Sequence, residues 1–172
     1  TLPALITAGR HRIAKSLERG VSAGKVTERE RDRALDKLTF TTNLSDLADR
    51  QLVIEAIIED EAVKAKVFAE LDRVVTDPEA VLASNTSSIP IMKIAAATKN
   101  PQRVLGLHFF NPVPVLPLVE LVSTLVTDEA AAARTEEFAS AVLGKQVVRC
   151  SDRSGFVVNA LLVPYLLAAI RM

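Results

Sequence analysis

QLVIEAIIEDEAVKAKVFAELDRVV, residues 51–75, carries two periodicities in one stretch. Its first half is an apolar run of strand length, and from Glu61 apolar residues recur at helical spacing to Val75. A strand that feeds directly into a helix is the unit from which α/β layers are built. The same alternation continues downstream. AVLASN, residues 80–85, is another short apolar strand, followed by the turn-rich TSSIP and an Ile/Met/Ala-rich helix. That helix has to stop before Asn100-Pro101, because a residue preceding proline is pushed out of the helical region. VLGLHFF and LVELV are two more strands, DEAAAARTEEFASAVL is a helix closed by Gly144, and KQVVRC is the last strand. An apolar helix starts after Gly155. Upstream, TLPALITAGRHRIAKSLERG spaces its apolar residues as an amphipathic helix, and Gly20 and Gly24 punctuate a loop. Thr27 and Glu30 then have the spacing of a capping box ahead of a charged helix that ends near Leu38. The pattern predicts an α/β layer with a mostly parallel sheet, whose ligands bind at the carboxyl ends of the strands.

The composition narrows the function. At 172 residues and 49% hydrophobic content the chain can build a core, and Lys+Arg equals Asp+Glu at 21 each. Without a global field, neither nucleic acid nor an anionic membrane is an expected partner, and an anionic ligand has to be gripped locally. The single cysteine, Cys150, leaves no internal disulfide and no cysteine metal site; core filler in a reducing cytoplasm is the expectation, and no metal is expected. GFVVNALLVPYLLAAIRM is interrupted by Asn159, Pro164 and Arg171 and falls short of the roughly 20 apolar residues a membrane span requires.

Three polar clusters fall at strand ends: Glu55 with Glu59, then Asn85-Thr86-Ser87-Ser88, then His108. Within GLHFFNPVPVLPLVEL, residues 106–121, Glu120 stands inside an apolar strand, where an unpaired carboxylate is costly to bury. Histidine is the simplest partner to suppose, because a carboxylate fixes an imidazole's tautomer and stabilises its charged form. Plainer roles stand beside these. His108 alone would be a hydrogen-bonded core histidine, the NTSS run an ordinary helix cap, Lys64 an i,i+4 partner of Asp60, Phe109 and Phe110 wall and core, and His11 a solvated side chain.

The six glycines, at 9, 20, 24, 106, 144 and 155, form no G-x-G-x-x-G. The first helix has no strand before it, and Leu161, Leu162, Leu166 and Ile170 have no evident partner. A piece of a longer protein is therefore expected, and the 172-residue chain alone is not expected to bind a dinucleotide saturably.

SNTSSIPI, GLHFFNPVP, LVELV and DRSGFVVNALLVPYL, in this order and spacing, resemble the 3-hydroxyacyl-CoA dehydrogenase family, within it the bacterial 3-hydroxybutyryl-CoA dehydrogenases. The resemblance implies a partial Rossmann-like NAD-binding domain over residues 1–152, with a mostly parallel sheet, flanking helices and an incomplete N-terminus. Residues 153–172 would be the first helix of an all-α dimerisation domain, and the complete protein a homodimer. It implies an acyl-CoA substrate and NAD, with NADP left open. His108 would take the proton of the substrate's 3-hydroxyl, Glu120 would orient His108, and Ser87 would hydrogen-bond the reacting oxygen with Asn159 on the opposite wall. Asn85, Glu59, Lys64 and Ser87 would contact the cofactor, and Ser16 and Lys25 the coenzyme A portion. Pro117, where many relatives have lysine, and Ala160, where arginine is common, depart from the pattern around the site. Two alternatives are a gulonate-type sugar-acid dehydrogenase of the same fold and a non-catalytic module that keeps His108 and Glu120 as a buried pair.

Overall fold

The structure, a computed structural model, describes residues 2–172. Its compact units divide between Asp46 and Leu47. The first contains helices α1 (Leu2–Ser22) and α2 (Glu28–Asp36). The Glu30 N–H donates to Thr27 Oγ1 at 3.2 Å and the Thr27 N–H to Glu30 Oε2 at 2.8 Å, which is the reciprocal box the sequence spacing predicts. A Glu18–Arg31 ion pair at 2.8 Å joins α1 to α2.

The second unit is a five-stranded sheet in the order β1 (Leu52–Glu55), β2 (Val81–Ser84), β3 (Val104–Phe109), β4 (Leu118–Ser123), β5 (Gln146–Ser151). Three of its four strand pairings are parallel; only β3 and β4 run antiparallel. The helices are α3 (Glu61–Val74), α4 (Ile91–Ala95), α5 (Glu129–Glu137) and α6 (Val158–Arg171). Two of them differ from expectation. α4 is a single short helix that loosens into turns well before Asn100, and α5 widens into a π-helical turn, Phe138–Val142, before Gly144 closes it at φ +65°.

The two-residue strand period sorts the core into two clusters. Leu82, Val104 and Val122 face α3 and α4, where Phe68, Leu71, Ile91 and Ile94 cover them. Val81, Ala83, Leu105, Leu107 and Val119 face the other way, against Ala131 and Ala139. Gly106 lies on the first face, and a Cβ there would come within 2.9 Å of both Ile91 Cδ1 and Val122 Cβ, so the glycine lets α4 sit close to the sheet. Buried Arg103 ties α3 to the strands through Asp72 Oδ1 at 2.8 Å and the carbonyls of Val75 and Asp77, also at 2.8 Å. Among the described residues no helix is long and apolar enough to cross a membrane.

Candidate active site

Glu55, Ser84, His108 and Glu120 of β1 to β4 lie on the α3/α4 face. Register carries Glu55 to Ser84, to Gly106 and to Val122 in one row, and His108 to Glu120 in the next. Directly opposed residues of an antiparallel pair share a face, so pairing β3 with β4 is sufficient to bring the imidazole and the carboxylate together. His108 Nδ1 lies 2.7 Å from Glu120 Oε2, with the residues 6% and 0% exposed. A carboxylate beside Nδ1 keeps the proton on that nitrogen. Nε2 then becomes the basic atom, and it has no hydrogen bond among the described residues. The ring is flanked by Phe110, with centroids 4.5 Å apart, and by Phe156, at 5.7 Å. Phe109, pointing the other way, packs in the opposite core cluster.

The second oxygen of Glu120 has its own partners. Oε1 accepts from the Val157 and Val158 N–H groups, at 2.9 and 2.8 Å, at the start of α6. These donors are otherwise unsatisfied at a helix N-terminus, where negative charge is favoured. The approach depends on a turn with two successive left-handed residues, Gly155 at φ 76° and Phe156 at φ 51°. A Cβ at Gly155 would come within 2.9 Å of the Ala160 nitrogen. The sequence offered one sign of this anchor, the glycine before the last helix.

Glu59 organises the loop after β2. Its Oε1 gathers five donors: the Thr86 hydroxyl at 2.6 Å, the Ser87 and Ser88 N–H groups at 2.9 and 3.2 Å, and the Ser88 and Ser87 hydroxyls at 3.1 and 3.3 Å. Burial would raise the Glu59 carboxyl, but those hydrogen bonds and the charge of Lys64 outweigh it and hold the group at about 2. Lys64 does not pair with Asp60, which instead caps α3 by accepting from the Val63 N–H at 2.9 Å. Its ammonium, 1% exposed, lies 2.7 Å from Glu55 Oε1 and 3.5 Å from Glu59 Oε2. Ser84 donates to Glu55 Oε2 at 2.7 Å, and the Ile57 N–H to Oε1 at 2.6 Å. Lys64 thus spends its charge inside the chain, stapling α3 to Glu55 at the end of β1 and to Glu59 in the loop that follows.

Asn159 Nδ2 donates to the Ser87 carbonyl at 3.4 Å, which makes the two residues direct neighbours. Thr86, not Ser87, supplies the loop's capping hydroxyl, accepting from the Ile89 N–H at 3.0 Å. The first turn of α4 is capped from afar: Asp152 accepts from the Ile91 and Met92 N–H groups at 2.9 and 2.8 Å. No sequence signal near α4 points to Asp152. Asn85 Oδ1 accepts the Phe109 N–H at 2.8 Å, tying the end of β2 to β3. Its Nδ2 has no partner among the described residues, which leaves a donor of the kind a carboxamide accepts. Burial, reinforced by the charges of Glu120 and Asp152, pushes the Cys150 thiol up to about 11, which disfavours its thiolate.

Ser16 and Lys25 belong to the other compact unit. Ser16 is an exposed residue of α1, and Lys25 lies in the turn before α2, with its N–H on the Gly20 carbonyl at 2.9 Å. His11 is an exposed residue of α1.

Open α/β sheets bind ligands beyond the carboxyl ends of their strands, where Asn85, Ser87 and His108 lie. What the geometry establishes is an open α/β domain with a buried histidine–carboxylate pair toward the carboxyl ends of its strands. The model of the 3-hydroxyacyl-CoA dehydrogenase, NAD binding domain matches residues 2–153, and the chain belongs to that family. It is 89% identical over 169 residues to a 3-hydroxybutyryl-CoA dehydrogenase of Mycobacterium tuberculosis, a match covering 98% of this chain and 59% of the relative. The crystal structure of M. tuberculosis FadB2 superposes with a TM-score of 0.96 at 89% identity, over 98% of this chain and 59% of that one. A 3-hydroxybutyryl-CoA dehydrogenase from Escherichia coli K12 superposes with a TM-score of 0.92 at 43% identity, over 96% and 35%. The chain thus spans about three fifths of the length of the M. tuberculosis relative.

Proposed function

We propose that the protein carrying this sequence interconverts (S)-3-hydroxyacyl-CoA and 3-oxoacyl-CoA, with 3-hydroxybutyryl-CoA as substrate and NAD as cofactor. The observation that carries this reading is the 2.7 Å contact between His108 Nδ1 and Glu120 Oε2, with the opposite ring nitrogen uncommitted. A bound nicotinamide dinucleotide would supply the hydride acceptor. Hydride leaves C3 readily only if the hydroxyl proton leaves as well, and Nε2 of His108 would take it. The cation so formed is stabilised by Glu120, whose second oxygen remains anchored on the start of α6.

Asn85 would hold the carboxamide through Nδ2. The Ser87 hydroxyl, 3.3 Å from Glu59, would turn to donate to the reacting oxygen, whose own proton goes to His108, and Asn159 braces the Ser87 backbone. The names of the relatives favour an acyl-CoA over a sugar acid.

The exposed apolar side chains of α6, among them Leu161, Tyr165 and Ile170, support self-association as a homodimer, readable by light scattering on the full-length protein. Cysteine usage supports a cytoplasmic location. In full-length protein, His108→Ala is expected to lower acetoacetyl-CoA reduction by about 10²-fold or more. Undiminished turnover would rule the mechanism out, and rates with NADH and NADPH compared side by side decide the cofactor.

A further inference from the structure

We propose that Phe156 is a positioning residue for the His108–Glu120 pair, acting through both its backbone and its ring. The inference rests on the proton-transfer role proposed for His108.

Phe156 is the one non-glycine residue at positive φ among the described residues, at 51°. A bulky aromatic is a poor choice there, because its Cβ crowds the following carbonyl; glycine or asparagine adopts the same conformation with less strain. Such strain persists where the surroundings over-determine it, and it concentrates at functional sites. The surroundings here are specific. The side chain is 6% exposed and belongs to the core cluster beneath α3 and α4. Its ring lies 5.7 Å from the His108 ring, at 60°.

The backbone does the second half of the work. Two left-handed residues in succession, Gly155 and Phe156, turn the chain so that the next two N–H groups, of Val157 and Val158, both reach Glu120 Oε1. Phe110 also touches His108, but no bond to Glu120 originates beside it. Phe156 therefore connects both members of the pair: its ring restricts the imidazole, and its φ delivers the donors that hold the carboxylate. A core filler would need neither the conformation nor the contact with His108.

The test compares full-length Phe156→Leu and Phe156→Met, which retain apolar volume and lose the ring. Misplacing a reacting group by a fraction of an ångström lowers turnover without weakening binding, so kcat for acetoacetyl-CoA reduction is expected to fall about tenfold or more. KM for acetoacetyl-CoA should stay within about twofold, the signature of an interaction used in the transition state. If the leucine protein does not fold cooperatively, the methionine protein supplies the same reading. A lowered Tm with kcat and KM unchanged in the variant that folds would make Phe156 core filler and overturn the inference. His108→Ala separates the two levels. Lost turnover in His108→Ala with intact turnover in Phe156→Leu removes only Phe156, whereas undiminished turnover in His108→Ala removes the role on which the inference stands.

Discussion

His108 and Glu120 are register partners across the antiparallel β3–β4 pair, and Glu120 divides its two oxygens between the imidazole and the first N–H groups of α6. The carboxylate is thereby fixed at both ends while wholly buried. Every lone pair that matters to the histidine's orientation is accounted for by an element other than β4 itself.

Replacing Glu120 by glutamine separates charge from shape. The single amide oxygen is held by the two α6 donors, so the NH₂ faces His108 Nδ1 and forces the proton onto Nε2, the wrong tautomer for a base. Turnover of full-length Glu120→Gln is expected to fall about 10²-fold or more with a near-native fold. Steady-state kinetics alongside circular dichroism checks this. Glu120→Ala strands the two donors as well and should cost about 3 kcal/mol or more of stability in urea unfolding.

Lys64 is buried between Glu55 and Glu59. Lys64→Met removes the cation and leaves Glu55 buried with only Ser84 and the Ile57 N–H as partners. A loss of about 3–5 kcal/mol is expected from denaturant unfolding, the range for removing one member of a buried ion pair. A loss below about 1 kcal/mol would mean that the pair behaves as a surface bridge.

Acid stability follows from Glu59 and Asp72. Against burial, hydrogen bonds from Thr86, Ser87 and Ser88 and the charge of Lys64 hold Glu59 at about 2, from an ordinary 4.5. Hydrogen bonds from Arg103, Lys99 and Asn100 lower Asp72, again against burial. Between about 4.5 and 2 the unfolded chain binds a proton at Glu59 that the folded chain does not. The contribution is therefore complete above 4.5 and lost as pH falls toward 2. Tm measured over that window should fall more gently in Glu59→Gln than in the parent; identical slopes would contradict the assignment.

Gly106→Ala places a methyl group against Ile91 and Val122. With Val122 fixed in the neighbouring strand, overpacking should cost about 1–3 kcal/mol by thermal unfolding. Because β3 also carries His108, activity is expected to fall with stability.

Most of the fold is legible in the sequence because its signals are local. The change of period within residues 51–75 announces a strand and a helix, Thr27 and Glu30 announce a cap, and Gly144 and Gly155 mark where a helix ends and another begins. Lys64 shows where that logic stops. Helical spacing offers Asp60 as its partner, while the actual partners lie on the strand end and loop before the helix.

The order of strands and helices, the chemistry available at their ends, and the need of a buried Glu120 for a partner can all be read from the residues along the chain. The antiparallel run of β4, the cap that Asp152 places on α4, the pairing of Lys64 with Glu55 and the hold of α6 on the far side of Glu120 emerge from the folded chain alone. The physical reason is range. Periodicity and capping act over a few residues along the chain, whereas register and the pairing of buried charges join segments tens of residues apart that meet only after the sheet has formed.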